Sequence, residues 1–256
     1  MTEIKKIKVD EYLLPVMIIS LKEKDIISIP TQIGCPINCN FCPSANTKFI
    51  RSLSNDEMNY LVEKVIDKNK ETLISFTGEG ESILNYKNVN LTISYLEKYS
   101  NINGFRICFS GFKSKNLKYI SKPNKKLHLQ FSIHSPFDEK RKSIMDKTDD
   151  LEKILENIKI NSHKFEDVSF NYILIKDFND TVDDLNELIK ITNKNWFIKL
   201  NPLIGDNGEF IINKNLNYFY DEIYKIGIKV FKYHKIGSTL QNKLNNLSYE
   251  KILKIN

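Results

Sequence analysis

The stretch DIISIPTQIGCPINCNFC, residues 25–42, passes from an apolar, β-branched run directly into three thiols, Cys35, Cys39 and Cys42. One other cysteine, Cys108, completes the chain's complement of four. Working outward, strand-like and helix-like segments alternate. A helical pattern at 54–68 is followed by the strand TLISF, a helix at 88–99, the strand FRICF, a short helix near 114–121 and the strand HLQFSI. A helix near 149–161, the strand VSFNYILI, a helix at 181–193, the strand WFIKL, a helix at 216–226 and the run GIKVFKY complete the series. Strands separated by helices predict parallel βα units. About six such steps are too few for a closed eight-fold barrel and predict an α/β fold of the partial (β/α)6, TIM-like kind. YLLPVMIISL, before the quoted stretch, predicts a short N-terminal β extension. In a parallel barrel the strand ends surround the site, and here they carry Glu79, Gly80 and Glu81, then Ser110, then Ser132 and His134, then Asn201.

Three thiols at C-x3-C-x2-C spacing admit two readings. A structural zinc site needs four ligands, and the fourth would come from one of four distant histidines. An iron-sulfur cubane held by three thiolates instead leaves one iron open to a substrate or cofactor. The context is compatible with either. The chain has 256 residues, 41% hydrophobic and 27% charged, which suits a globular domain. No apolar leader or membrane-length run is visible, and sparse cysteines predict a cytoplasmic protein whose thiols are not structural disulfides. The net charge of +6 is carried almost wholly by lysine, with arginine only at 51, 106 and 141. It is weak evidence for nucleic acid, whose recognition leans on guanidinium forks. Lys113, Lys115, Lys118, Lys122, Lys125 and Lys126 occur with no acid among them; they read as a solvated face or, alternatively, a phosphate-facing patch.

The C-x3-C-x2-C loop resembles that of the radical S-adenosylmethionine (SAM) superfamily. More narrowly, QIGCPINCNFC, FTGEGESILN, FSIHSPFDEKR and ILIKDFNDTVDDLNELIKI resemble the RlmN/Cfr branch, over about Gln32 to Lys232. The resemblance implies a [4Fe-4S] cluster on Cys35, Cys39 and Cys42, whose open iron chelates SAM, and cleavage of SAM to a 5'-deoxyadenosyl radical that abstracts hydrogen. It further implies an electron donor such as flavodoxin or ferredoxin, and a single radical SAM domain with an extension at 1–30, a barrel at 31–233 and a tail at 234–256. Phe41 would pack near the adenine, Gly80 and Glu81 would hold the SAM amino group, and Ser110 would lie by its carboxylate or ribose. Ser132 and His134 would take the nucleoside side, and Asn201 stands near the position of a SAM-binding asparagine.

The departures from that pattern bear on function. The branch's methyl synthases use two further cysteines, but Ser28 stands seven residues before Cys35 and GSTLQNKL stands where ACGQL is expected. A hydroxyl does not substitute for a thiolate nucleophile. The chain also begins about 30 residues before the cluster loop, so the accessory RNA-holding domain is expected to be missing. The expectation is a radical SAM enzyme acting on a small nucleoside or nucleotide, with RNA disfavoured. The specific candidate is C–N cleavage of queuosine or its monophosphate to release queuine; Glu79 or His134 would give a proton and Cys108 would return a hydrogen atom unless it is an inert buried thiol. RNA adenine modification without two-cysteine methyl transfer, using the lysines or the acid-free segment 223–249, is the first alternative. A peptide substrate is the second.

Overall fold

The computed structural model describes residues 2–45, 47–205, 209–232 and 250–251. β1 (Thr2–Val9) and β2 (Tyr12–Ser20) pair antiparallel around a turn in which Asp10 takes a φ of +49°, a conformation Asp tolerates through its short polar side chain. β3 (Lys24–Ile29) pairs antiparallel with β2 on one edge and parallel with a later strand on the other. The segment 24–29 is therefore the first strand of the parallel sheet, and the extension proper ends with β2. This corrects the boundary at residue 30 drawn from sequence.

After β3, the short strands β4 (Gln32–Ile33) and β5 (Arg51–Ser52) pair across the cysteine loop, and α1 (Asn55–Glu63) follows. The series continues β6 (Glu71–Phe76), α2 (Tyr86–Leu96), β7 (Ile102–Phe109), β8 (Lys126–Ser132), α3 (Asp138–Ile144), α4 (Leu151–Asn161), β9 (Asp167–Ile173), α5 (Val182–Ile191) and β10 (Phe197–Asn201). The hairpin of β11 (Leu203–Ile204) and β12 (Phe210–Ile211) precedes α6 (Leu216–Lys225) and β13 (Lys229–Lys232), and β14 (Glu250–Lys251) pairs with β2. The parallel strands lie in chain order, β3-β6-β7-β8-β9-β10-β13. Crossovers that always step to the next position in the same direction, with the right-handed connection, build a barrel wall. The six expected βα steps are present, closed off by β13. The helix predicted near 114–121 is a 3-10 turn, Ser114–Tyr119, and α3 was not anticipated at all.

Side-chain alternation explains why these strands curl into a wall. On β8, Leu127, Leu129 and Phe131 are buried while His128, Gln130 and Ser132 remain half-exposed. The apolar residues join those of neighbouring strands and helices in the main core. Phe109, Phe131, Phe170 and Trp196 form an aromatic row across β7 to the start of β10, with successive centroids 5.2, 5.7 and 5.3 Å apart. That geometry adds to area burial. Helix starts are fixed locally: Ser54 and Glu57 form a capping box on α1, and Thr181 and Asp184 form one on α5. Among the described residues no helix is long and apolar enough to cross a membrane.

Candidate active site on the strand-end rim

The three cysteines sit on a loop pinned on two sides. At its base, Gly34 has φ +74° and a Cβ there would lie 2.1 Å from the Lys48 carbonyl oxygen, so the backbone crossing admits only glycine. At its tip, the Asn40 amide donates to the Ile144 carbonyl and Asn40 Nδ2 to the Ser143 carbonyl, while Lys147 Nζ reaches the Pro36 carbonyl. The loop thus rests on α3. All three thiols are half-buried. Burial, offset in part by the Ile37 backbone, pushes Cys35 up to about 11. Cys39 is also raised, first by burial and then by Cys42 and Cys35, and Cys42 is raised chiefly by burial. Thiols so crowded ionise when cations arrive to compensate them.

Among the described residues, no three His, Cys, Asp or Glu side chains converge as ligands of one metal ion. A cubane takes each thiolate on a different iron, so its sulfurs stand farther apart than the ligands of a single ion, and the donor set fits such a cluster.

Beside the loop, the segment after β6 is drawn onto it. A Cβ on Gly80, where φ is +99°, would lie 2.7 Å from Gln32 Cβ. The Glu81 amide donates to Gln32 Oε1 at 2.8 Å and the Thr31 amide to the Glu79 carbonyl at 3.0 Å. Asn85 Nδ2 bridges the Thr31 and Leu53 carbonyls. Glu81 is consequently buried, with Oε2 accepting from the Ser110 amide at 2.8 Å and from Ser110 Oγ at 2.6 Å. Its Oε1 has no hydrogen-bond partner of good geometry among the described residues. Burial raises this carboxyl to about 7 although Ser110 and the Ile83 backbone work to lower it. A buried carboxylate with one vacant oxygen beside the thiols fits an amino N–H donor. Glu79 is buried as well, at 1% exposure.

His134 follows β8 with φ +50° and is fully enclosed. Its Nδ1 accepts from the Ile173 amide at 3.1 Å, and the Phe41 ring meets it edge-on at 4.8 Å. The cluster loop and the β8 end therefore touch through the two aromatic side chains expected on the nucleoside side. Burial, followed by the charge of Arg141, lowers His134 to about 3. A neutral imidazole whose Nδ1 accepts a hydrogen bond carries its proton on Nε2, which is left as a donor. Ser132 is half-buried, and its carbonyl accepts from Arg141 Nη1 at 3.1 Å.

Cys108 is half-buried with Sγ 3.8 Å from Ser75 Oγ, on the strand face expected from its spacing to Ser110. Asn201 Nδ2 donates to Asn171 Oδ1, on the β9–β10 side of the rim.

Three contributors were missed from sequence. Gln32 holds the Gly80–Glu81 segment. Arg141, fully buried on α3, donates to the carbonyls of Ser110, Ser132 and Ile133 and lies 4.9 Å above the Phe131 ring. Asn179 donates to the carbonyls of His134 and Ile173 and accepts from the Ile175 amide. The available signal was Arg141 itself, one of three arginines in a lysine-rich chain, because a buried cluster of carbonyls suits a guanidinium fork. The lysine run is partly committed elsewhere: Lys122 and Lys125 donate to backbone carbonyls and Lys126 lies 3.6 Å from Glu166. The segment GSTLQNKL, most of 223–249 beyond residue 232, and the tail apart from 250–251 lie outside the described residues.

A cavity of about 900 Å³ opens beside this rim, between Asn40, Phe41, Cys42 and Pro43 on one side and Ile175, Leu203, Ile204 and Ile211 on the other. Its size is that of a small-molecule or cofactor site. Residues 29–190 match the model of the Radical SAM superfamily. The chain belongs to the radical SAM superfamily. Its cofactors are those of the family, a [4Fe-4S] cluster and SAM, and it is an enzyme of that class. It is 30% identical to a probable dual-specificity RNA methyltransferase RlmN of Pseudothermotoga lettingae over 237 residues, 88% of this chain and 69% of the relative. With the corresponding protein of Petrotoga mobilis it shares 31% over 191 residues, covering 71% of this chain and 55% of the relative. The chain thus spans between about half and two thirds of such relatives. In fold it is similar to a radical SAM methyltransferase from Sphaerobacter thermophilus, with TM-score 0.79 at 18% identity over 94% of this chain and 79% of that one.

Proposed function

We propose that this protein applies radical SAM chemistry to a nucleoside unit, RNA being the class that the names of its relatives favour and adenine the base that the motif resemblance implies, without methyl transfer through a covalent two-cysteine route. The observation that carries the reading is the junction of the cysteine loop with Glu81–Ser110 and with the Phe41–His134 pair on one rim beside the cavity. When bound, the cluster and SAM supply a carbon radical that removes a hydrogen atom. Cys35, Cys39 and Cys42 would hold the cluster, and Glu81, oriented by Ser110, would accept from the amino group of SAM. Phe41 and His134 would exclude water from the adenine side. The second clause rests on Ser28, buried in β3 in register with Ser75, where the relatives' branch places a thiol. The queuosine lyase reading draws no support from relatives named as RNA methyltransferases, and it ranks below RNA modification.

The test is anaerobic incubation of the reconstituted protein with SAM, a reductant and a panel of RNAs, nucleosides, nucleotides and peptides, followed by mass spectrometry. The expected result is 5'-deoxyadenosine formation stimulated by a nucleoside-bearing compound whose base changes without gaining a methyl group. Methyladenine as product, or turnover confined to peptides, would overturn the reading. Release of a free base from queuosine would restore the lyase.

A further inference from the structure

Below the rim, the concave face of the sheet is polar and unevenly charged. On β7, Phe105, Ile107 and Phe109 enter the core, which leaves Arg106 and Cys108 on the opposite, half-exposed face. His128 and Gln130 of β8 lie in register with Arg106 and Cys108, and Asp167 of β9 lies in register with His128. From β10, Lys199 reaches past β9 to place Nζ 2.6 Å from Gln130 Oε1. A side chain that spans two strand positions in this way lies along the inside of the curve. The charges there do not balance. Asp167 is engaged by His128 Nδ1 at 2.7 Å. The ammonium of Lys199 has a neutral amide as its hydrogen-bond partner. Arg106 makes no hydrogen bond or ion pair with any described residue; its charge is felt only at a distance by Lys199 and Asp167. Burial, with Arg106 next, lowers Lys199 to about 8, as expected of a cation kept near another one in a partly dry space.

We infer that Arg106, Lys199 and Gln130 form an anion subsite on the inner wall of the barrel that takes a phosphate group of the substrate. A guanidinium fork on β7 and an ammonium that reaches from β10 to β8 on the same face suit a phosphate's several oxygens, and an arriving anion relieves the repulsion between the two cations. Arg106 lies four residues before Ser110 on β7, about 13 Å at strand rise, so a nucleotide with its phosphate at the subsite extends toward the cofactor rim. The inference rests on the proposed nucleoside reading for the identity of the group that carries the phosphate. The subsite itself does not need it.

Three probes separate these points: inorganic phosphate, adenosine and adenosine 5'-monophosphate, each titrated calorimetrically into the cluster-loaded protein with SAM under anaerobic conditions. The nucleotide is expected to bind at least about tenfold more tightly than adenosine, a difference of about 1.4 kcal/mol. Arg106→Gln and Lys199→Met should each remove most of that gain, and also inorganic phosphate binding, whereas Lys115→Ala on the exposed lysine run should leave both unchanged. Arg106→Lys, which keeps the charge and loses the fork, should fall between, and it serves if Arg106→Gln does not fold. Equal binding of adenosine and its monophosphate, or a phosphate gain that survives in both inner-wall variants, would overturn the subsite while leaving the nucleoside reading intact. Phosphate binding lost in the variants without binding of either adenine compound would keep the subsite and discard a free adenine mononucleotide as its occupant. A gain lost in Lys115→Ala would move the phosphate to the outer surface and overturn the subsite.

Discussion

The two faces of β7 behave as different materials. The outward residues Phe105, Ile107 and Phe109 are buried against helices and neighbouring aromatic rings. The inward residues Arg106 and Cys108, with Ser110 just beyond the strand, are polar and face a solvent-reachable concavity or a buried carboxylate. One face secures the architecture and the other carries chemistry, and their alternation lets either change with little effect on the other. The comparison teaches where separability ends: Arg141 packs on the outward ring of Phe131 while its guanidinium holds rim carbonyls.

The sharpest way to break the separation is at the cysteine loop. Cys39→Ala should abolish the iron-sulfur absorption and all SAM cleavage, yet leave the thermal transition of the cluster-free protein close to that of the parent. A large fall in that transition would show that loop and wall are not independent. On the other face, Phe131→Ala should cost about 3–5 kcal/mol in denaturant unfolding. Arg141→Met tests the link between faces: leaving three carbonyls without their donor should cost about 2–3 kcal/mol, and SAM affinity should fall as well. Unchanged SAM affinity would make Arg141 purely a stability residue.

Smaller effects probe the rim alone. Ser110→Ala removes one of two donors to Glu81 and should weaken SAM binding about tenfold, about 1.4 kcal/mol, without loss of cluster absorption. Glu81 also predicts a proton signature. Because its carboxyl is raised to about 7, the folded chain holds that proton where the unfolded chain has released it. Its contribution to stability is thus largest below the ordinary carboxylate range and declines as pH rises toward 7. An amino group donating there favours the ionised carboxylate, so SAM binding at pH 6 should release close to one proton more from the parent than from Glu81→Gln, seen by calorimetry in buffers of different ionisation enthalpy, with almost no such difference at pH 8.5. Equal release by the two proteins at pH 6 would remove Glu81 as the partner of the amino group.

Much of this was legible in the chain itself. The apolar alternation of FRICF and HLQFSI exposes strand type and the inward face, and the C-x3-C-x2-C spacing locates the cluster loop, because both signals are local. What escaped is non-local. DEKRKSI forms α3 although Arg141 is its only buried residue, so no apolar periodicity announced it, and its helical state follows from carbonyls contributed by β7 and β8. Asn179 and Gln32 matter through partners about 45 and 49 residues away. Glu79 stands at a strand end in the sequence, and its burial goes with the Thr31 amide bonded to its carbonyl. Local composition carries no information about such pairings.

One further consequence follows from β3. Its backbone is bonded on both sides, to β2 and to β6, so β13 has no vacant partner there with which to complete a ring. Among the described residues the wall is thus an arc with two ends, one capped by the hairpin and the other at β13, and an arc can change its curvature with no ring of backbone bonds to break.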